Sequence, residues 1–214
     1  MRIADIKKAC LATGMLYGID AGRNGMYISN GRAAWPLPDG IECSERTMLE
    51  LLDYSEKQTD ETDVRSMRAR DDDMFDYAGP NAGETRLRFI CHIPAMDAAG
   101  ELLLLETLDG DTYAIHEMDV KAGRVKGIMM EYALRGISDG GEGETMVACY
   151  NGMQLAALVK PVTNLGGVFA YLEELASRKV GYIRDFSILV NPKKIAQEDA
   201  EVAGEQMGMD LDGE

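Results

Sequence analysis

Three two-residue turn signals most constrain what this chain can fold into. Asn30-Gly31, Asp109-Gly110 and Asn151-Gly152 each lie between two short, mainly apolar stretches. Asn-Gly and Asp-Gly supply the positive φ angles that a two-residue hairpin loop requires. The sequence therefore predicts three antiparallel β-hairpins. Apolar residues at helical spacing occur elsewhere, so the predicted fold class is α+β, with small antiparallel sheets packed against about four helices.

Helices are predicted where apolar residues recur at intervals of three and four. The first begins near Ile3 and ends at Gly14, and the second takes Ser44 as its N-cap. A third is predicted over residues 124–134, in which Gly127 weakens the pattern, and a fourth begins at Asn164. Together with the hairpins, these helices place the chain among mixed α and β proteins.

Composition divides the chain into four predicted parts. Residues 1–57 form an N-terminal α/β lobe, and residues 86–194 form a C-terminal α+β lobe. Between them, residues 58–85 are polar, charged and interrupted by Gly-Pro, which is typical of a linker or long loop. Residues 195–214 contain seven acidic residues and no basic one, which predicts a disordered acidic tail.

The formal net charge of −15, from 37 acidic and 22 basic residues, limits the partners of this chain. A body of this charge repels nucleic-acid phosphates unless its basic residues are sorted onto one face. The composition therefore argues against direct nucleic-acid binding. It favours another protein with a basic surface as partner, and in an extreme form the acidic surface would mimic DNA.

Cysteine usage and hydropathy predict a cytoplasmic location. Cys10, Cys43, Cys91 and Cys149 are widely spaced and form no C-x-x-C pair, as expected for free thiols in a reducing compartment. The N-terminal segment has no continuous apolar stretch of the kind found in signal peptides. Apolar runs such as Leu102 to Leu105 are far too short to span a membrane, so no membrane association is expected.

One acidic stretch inside the predicted linker contains two aromatic residues. Acidic and aromatic side chains together form a candidate docking segment for a partner, and its members are Asp71, Asp72, Asp73, Phe75, Asp76 and Tyr77. Aromatic residues are unusual in a pure spacer. The alternative interpretation is a loop anchored to the protein by its two aromatic rings.

Catalytic motifs are incomplete in this sequence. Gly136–Gly140 fits the G-x-S-x-G pattern of hydrolases, but both histidines precede Ser138, against the expected order. Cys91 and His92 are adjacent, and on a strand adjacent side chains point to opposite faces. No phosphate-binding glycine loop is present. We therefore predict no catalytic residue and no cofactor.

A histidine and several nearby acidic residues support an alternative hypothesis, a metal-dependent enzyme. His116, Glu117 and Asp119, with Asp139, are the residues that a carboxylate- and divalent-metal-dependent enzyme would use. His116 and Glu117 would face opposite ways on a strand, and neither histidine lies in an H-E-x-x-H helix. The sequence therefore assigns no metal ligand, and metal-dependent stabilisation of the chain would revive this hypothesis.

Two segments of the chain have a similar order of sequence features. YISNGRAAWPLP and ACYNGMQLAALVKP share a strand, an Asn-Gly turn, an alanine-rich strand and a proline. This internal similarity resembles the domain duplication of DNA-replication sliding clamps. YNGMQLAALVKPV is similar to the hairpin that closes such domains. The resemblance covers about a quarter of the chain and implies a ring-forming replication accessory factor. The predicted helices, however, lack the excess of Lys and Arg that a clamp's inner face needs.

Taken together, the missing catalytic set and the acidity favour a non-catalytic accessory or inhibitor protein that acts by binding another protein. In its compact acidic character the chain is similar to accessory proteins of phages or prophages. A clamp-like replication factor and a metal-dependent enzyme are the alternatives.

Overall fold

The computed structural model describes residues 2–69, 75, 83–94, 100–136 and 145–163. The helix predicted from Asn164 and the predicted acidic tail lie outside these residues. The described helices are α1 (Ile3–Thr13), α2 (Glu45–Leu51), α3 (Glu56–Asp60) and α4 (Glu117–Lys121), with a 3₁₀ turn at Gly22–Asn24. The described strands are β1 (Met15–Asp20), β2 (Met26–Ser29), β3 (Ala33–Pro36), β4 (Asp63–Arg68), β5 (Thr85–Pro94), β6 (Glu101–Glu106), β7 (Thr112–His116), β8 (Met130–Arg135), β9 (Met146–Asn151) and β10 (Gln154–Val159).

The strands form one large mixed sheet rather than the small antiparallel sheets that we predicted. Its order is β4-β1-β2-β3-β10-β9-β8-β5-β6-β7. β1 and β4 are parallel, and the other neighbouring strands are antiparallel. The fold is thus mixed α+β, as expected. Pairing between β3 and β10 joins strands from the two predicted lobes in the same sheet.

Each of the three turn dipeptides lies between two paired strands. β2 pairs with β3 across Asn30-Gly31, β6 with β7 across Asp109-Gly110, and β9 with β10 across Asn151-Gly152. The glycine in each turn has a positive φ, which is the conformation that glycine adopts without steric cost.

Two units of the sheet repeat the same order of elements. In the first, α1 is followed by the antiparallel meander β1-β2-β3, and in the second α4 is followed by β8-β9-β10. β3 and β10 lie side by side and antiparallel, so an approximate two-fold axis between them relates the two meanders. In both units the turn asparagine donates to a backbone carbonyl of the unit's helical segment: Asn30 Nδ2 to Ala9 O within α1 at 3.4 Å, and Asn151 Nδ2 to Gly123 O just after α4 at 2.7 Å.

Residues 124–134, predicted as a helix, contain a turn and strand β8 instead. Gly127 has a φ of 86°, which ends any helical run. From Met130 onward the chain pairs with β9 and β5. The apolar spacing that suggested a helix comes from exposed loop residues and one strand face. Part of the predicted linker is also ordered, since α3 and β4 lie at residues 56–68.

The centre of the sheet is buried on both faces. On one face, α1, α2 and α4 cover a large core that includes Trp35. Ser44 caps α2 through its hydroxyl, 3.2 Å from Thr47 N, as predicted. On the other face, Tyr27, Tyr150 and Leu158 form a second core with Phe75. Alternating side chains on the central strands supply both cores.

In the part of the chain that the structure describes, no helix is long and apolar enough to cross a membrane.

Candidate functional site

A concave pocket opens where strands β5 and β8 separate. The two strands pair only from Thr85 to Leu87, and β5 then continues in pairs with β6 alone. The register of β5 shifts between Phe89 and Cys91, and such a bulge bends its strand. The loop after α4 approaches the resulting gap. We call this concavity the β5–β8 pocket.

The β5–β8 pocket has a volume of about 560 Å³, within the usual range of ligand sites. Its apolar lining comes from both strands and the loop, and its polar lining contains two arginines, a histidine and a glutamate. The lining residues are Arg86, Leu87, Phe89, His92, Leu103, Arg124, Ile128, Met129, Met130, Glu131 and Tyr132. Phe89, Ile128 and Met129 are exposed, and Met129 is 85% accessible. Exposed apolar side chains grouped around a concavity are typical of a binding surface.

Three side chains of types that can ligate a metal lie close together beside the pocket. His92 on β5, Glu101 on β6 and Glu117 at the start of α4 place one ligand atom each within 4.8 Å of the others. Glu101 continues the β6–β7 register opposite Glu117, and His92 lies diagonally across β5–β6 on the same face. We call these residues the His92 cluster. Of the residues that the sequence suggested for a metal-dependent enzyme, only Glu117 belongs to this cluster.

Two other members of that sequence-derived set, His116 and Asp119, turn into the core. His116 and Asp119 are buried, and Asp139 lies outside the described residues. Asn30 Nδ2 donates to Asp119 Oδ1 at 2.8 Å, and Arg32 Nε lies 3.2 Å from Asp119 Oδ2. Trp35 Nε1 donates to the Asp119 backbone carbonyl at 2.8 Å. Asp119 therefore joins the two repeated units and is not a free carboxylate for catalysis.

Burial raises the pKa of Asp119 above its ordinary value, against the opposing effects of Arg32, Asn30 and His116. A raised pKa in the folded state favours the protonated form. The stability that Asp119 contributes is therefore complete below its unfolded pKa of about 3.9 and is lost as pH rises through the folded pKa. We compare the free energies of unfolding of the wild type and Asp119→Asn. The difference, wild type minus variant, should fall as pH rises from the unfolded to the folded pKa of Asp119 and should then level off. Urea denaturation at several pH values measures this difference, and a relative stability that instead rises with pH would contradict it.

A second buried polar group lies at the far end of β8. Arg135 Nε donates to Glu84 Oε1 at 2.6 Å, and Arg135 Nη2 donates to the Tyr150 hydroxyl oxygen at 2.7 Å. The Tyr150 hydroxyl donates to the Glu84 carboxylate, with oxygen distances of 2.6 and 2.7 Å. Burial, followed by the Glu84 hydrogen bond, raises the pKa of Tyr150. These contacts link three neighbouring strands and leave the carboxylate fully engaged.

Of the six predicted docking residues, the structure describes only Phe75. Its ring packs edge-on against Tyr27 with centroids 4.8 Å apart, and its backbone carbonyl accepts a hydrogen bond from the Tyr27 hydroxyl. Phe75 is therefore a buried anchor of the second core. Asp71, Asp72, Asp73, Asp76 and Tyr77 lie outside the described residues, so the docking segment stays a prediction.

The four thiols are buried and lack the features of a nucleophile. Burial raises the pKa of Cys10 to about 12 and that of Cys43 to about 11, and it also raises the pKa of Cys91 and Cys149. Thiols with raised pKa values stay protonated near neutral pH and react slowly. Cys91 packs with Ile93 in a small core, whereas His92 lines the pocket, so the adjacent pair does not meet.

The negative charge is distributed unevenly along the chain. Eighteen of the 37 acidic residues but only six of the 22 basic residues lie outside the described ranges. The described part thus holds 19 acidic and 16 basic residues, a charge of −3 out of the total −15. Most of the excess acidity that dominates the composition belongs to the remaining segments.

Sequence reasoning missed the β5–β8 pocket. Its clearest local signal is Gly127, because glycine favours turns; the structure leaves the next two residues, Ile128 and Met129, exposed. The opposite wall of the pocket depends on the bulge in β5, and no local sequence pattern predicts that bulge.

Comparison of the chain with models of protein families, with curated proteins and with solved structures finds no match in any of the three.

Proposed function

We propose that this chain is a non-catalytic accessory or inhibitor protein that binds another protein through the β5–β8 pocket. The observation that carries the proposal is the pocket itself, in which Phe89, Ile128 and Met129 remain exposed around a cavity of about 560 Å³. A partner side chain that entered it would gain about 1.5–3 kcal/mol from apolar burial.

The polar groups of the pocket favour a defined orientation of the bound segment. Arg86 and Arg124 line the cavity together with apolar side chains. Arginine is enriched at protein interfaces, where its planar guanidinium donates to carboxylates and backbone carbonyls. A peptide segment with an apolar anchor and nearby acceptor groups is therefore the class of ligand that fits.

The acidic segments outside the described residues have a separate role in this proposal. Their charge attracts a partner with a basic surface over a distance of about a Debye length. The partner then docks an apolar anchor into the pocket, which is less sensitive to salt. Buried, protonated thiols suit a cytoplasmic site of action, which we include in the proposal.

The proposal is tested by capturing partners from a cell extract with three forms of the protein. Ile128→Glu combined with Met129→Glu places two charges in the pocket at exposed positions that the fold does not need. Leu108→Glu is the matched control, because Leu108 is 95% exposed and does not line the pocket. We expect at least one protein to be captured by the wild type and by the Leu108→Glu control but not by the double variant. Identical captured proteins for all three forms, at low and at high salt, would contradict the proposal.

A second candidate function is a sliding-clamp-like replication factor, and the repeated α-β-β-β units favour it. Two such units related by an approximate two-fold axis support the duplication that the resemblance of the two Asn-Gly segments implies. The exposed residues of α1 and α4 include Lys8 and Lys121, whereas Lys7 is occupied by the Asp53 carbonyl and the Tyr54 ring. That is a modest positive charge for a surface that faces DNA.

Oligomeric state separates the two candidates. A clamp closes into a ring of identical subunits, whereas an accessory protein that binds through one pocket needs no such symmetry. Light scattering coupled to size-exclusion chromatography, followed by electron microscopy of any oligomer, measures this. A closed ring supports the clamp, and a monomer at micromolar concentration excludes it.

A further inference from the structure

We propose that the His92 cluster binds a first-row divalent transition metal such as Zn²⁺. Imidazole nitrogen with two carboxylates is a common ligand set for Zn²⁺, and it leaves a fourth position for water or a partner ligand. Mg²⁺ and Ca²⁺ prefer sites made entirely of oxygen. The mixed ligand set therefore selects the class of metal.

The spacing of the ligand atoms supports this proposal. His92 Nδ1 lies 3.5 Å from Glu101 Oε2, and among the described residues it has no hydrogen-bond partner although the atom is buried. Two ligands at 2.0–2.1 Å from one tetrahedral Zn²⁺ lie about 3.4 Å apart. The separation thus matches two ligands of a shared ion better than it matches a hydrogen bond.

Neighbouring side chains contact two of the three candidate ligands, His92 and Glu117. The Phe89 ring packs edge-on against the His92 imidazole with centroids 5.2 Å apart, which orients the ring. Arg124 Nη1 is 3.9 Å from one Glu117 oxygen, a long ion pair that leaves the other oxygen for a metal. β5, β6 and α4 each supply one ligand, so the site depends on the tertiary fold and not on a sequence motif.

His92 also lines the β5–β8 pocket, so a metal in this cluster would lie at the edge of the pocket. The metal proposal does not depend on the proposed protein-binding function. Metal binding can be measured on the isolated chain, and a failure there leaves the partner experiments unaffected.

Calorimetric titration of the chelator-treated full chain with Zn²⁺ tests the proposal, with excess Mg²⁺ present to occupy weak acidic sites. We expect one tight site per chain. His92→Ala and Glu117→Gln should each weaken it by more than about tenfold, since loss of even an outer-shell partner costs about 10–100-fold. Glu50→Gln is the matched control, because it removes an exposed carboxylate on α2, outside both the cluster and the pocket, and should leave the affinity unchanged.

A second readout uses Co²⁺ in place of Zn²⁺. Tetrahedral coordination with a nitrogen ligand gives a visible absorption band, which should be absent from His92→Ala while circular dichroism shows that the variant stays folded. Absence of a tight site in the wild type, or equal affinity in the wild type and His92→Ala, would overturn the proposal.

Discussion

Replacing Arg135 by alanine is expected to lower the free energy of unfolding by about 3–5 kcal/mol. The side chains of Arg135 and Glu84 are only 5% and 3% exposed. Without the guanidinium, the Glu84 carboxylate keeps the Tyr150 hydroxyl as a partner but remains buried with an uncompensated charge. The loss comes from that stranded charge more than from the pair's own attraction.

Arg88→Ala is the matched control for this prediction. Arg88 Nη2 lies 2.5 Å from Glu106 Oε2, but the arginine side chain is 76% exposed, so solvent screens the pair. Its removal should change stability by less than about 1 kcal/mol. Urea denaturation followed by far-ultraviolet circular dichroism measures both variants. Equal losses for Arg135→Ala and Arg88→Ala would show that the buried pair has no special role in the sheet.

Replacing Trp35 by alanine is expected to destabilise the protein by about 3–5 kcal/mol, the usual cost of removing a large buried aromatic residue. Trp35 is fully buried on β3, beside the boundary between the two repeated units. Its indole N–H also donates to the Asp119 carbonyl on α4. The variant therefore loses both core volume and a hydrogen bond between the two units.

Trp35→Phe separates the two contributions, because it keeps an aromatic ring but cannot donate. We expect its loss of stability to be clearly smaller than that of Trp35→Ala. Since Trp35 is the only tryptophan, unfolding of all forms should be followed by circular dichroism and not by fluorescence. A Trp35→Ala variant with wild-type stability would contradict the packing of the Trp35 side chain between the sheet and the helices.

Local features of the fold could be predicted because they depend on neighbouring residues. Asn30-Gly31 and Asn151-Gly152 mark turns through the φ angles that they permit. Gly14, with a φ of 69°, ends α1, and Ser44 caps α2 through its own hydroxyl. In each case the signal and the structure lie within a few residues of each other.

The extent of the sheet could not be predicted in the same way. Pairing of Ala34 with Leu158 joins residues far apart in the sequence, and no local pattern specifies that register. The parallel pairing of β4 with β1 depends likewise on the tertiary fold, and polar residues such as Arg65 and Ser66 suggested a linker.

The candidate site was hidden for a related reason. Glu117 was identified within a run of His, Glu and Asp, but its neighbours His116 and Asp119 point into the core. The residues that meet Glu117 are His92 and Glu101, which come from two other strands. Only the register of β5, β6 and β7 brings them together, and that register follows from long-range pairing.

We propose that the β5–β8 pocket binds a peptide segment of a partner protein. Selection of a random displayed peptide library on the wild-type protein, followed by fluorescence anisotropy with the selected peptides, tests this proposal. We expect the double variant Ile128→Glu, Met129→Glu to bind these peptides more than about tenfold more weakly than the wild type, and Leu108→Glu to bind them normally. Equal affinity of the wild type and the double variant for every selected peptide would contradict the claim.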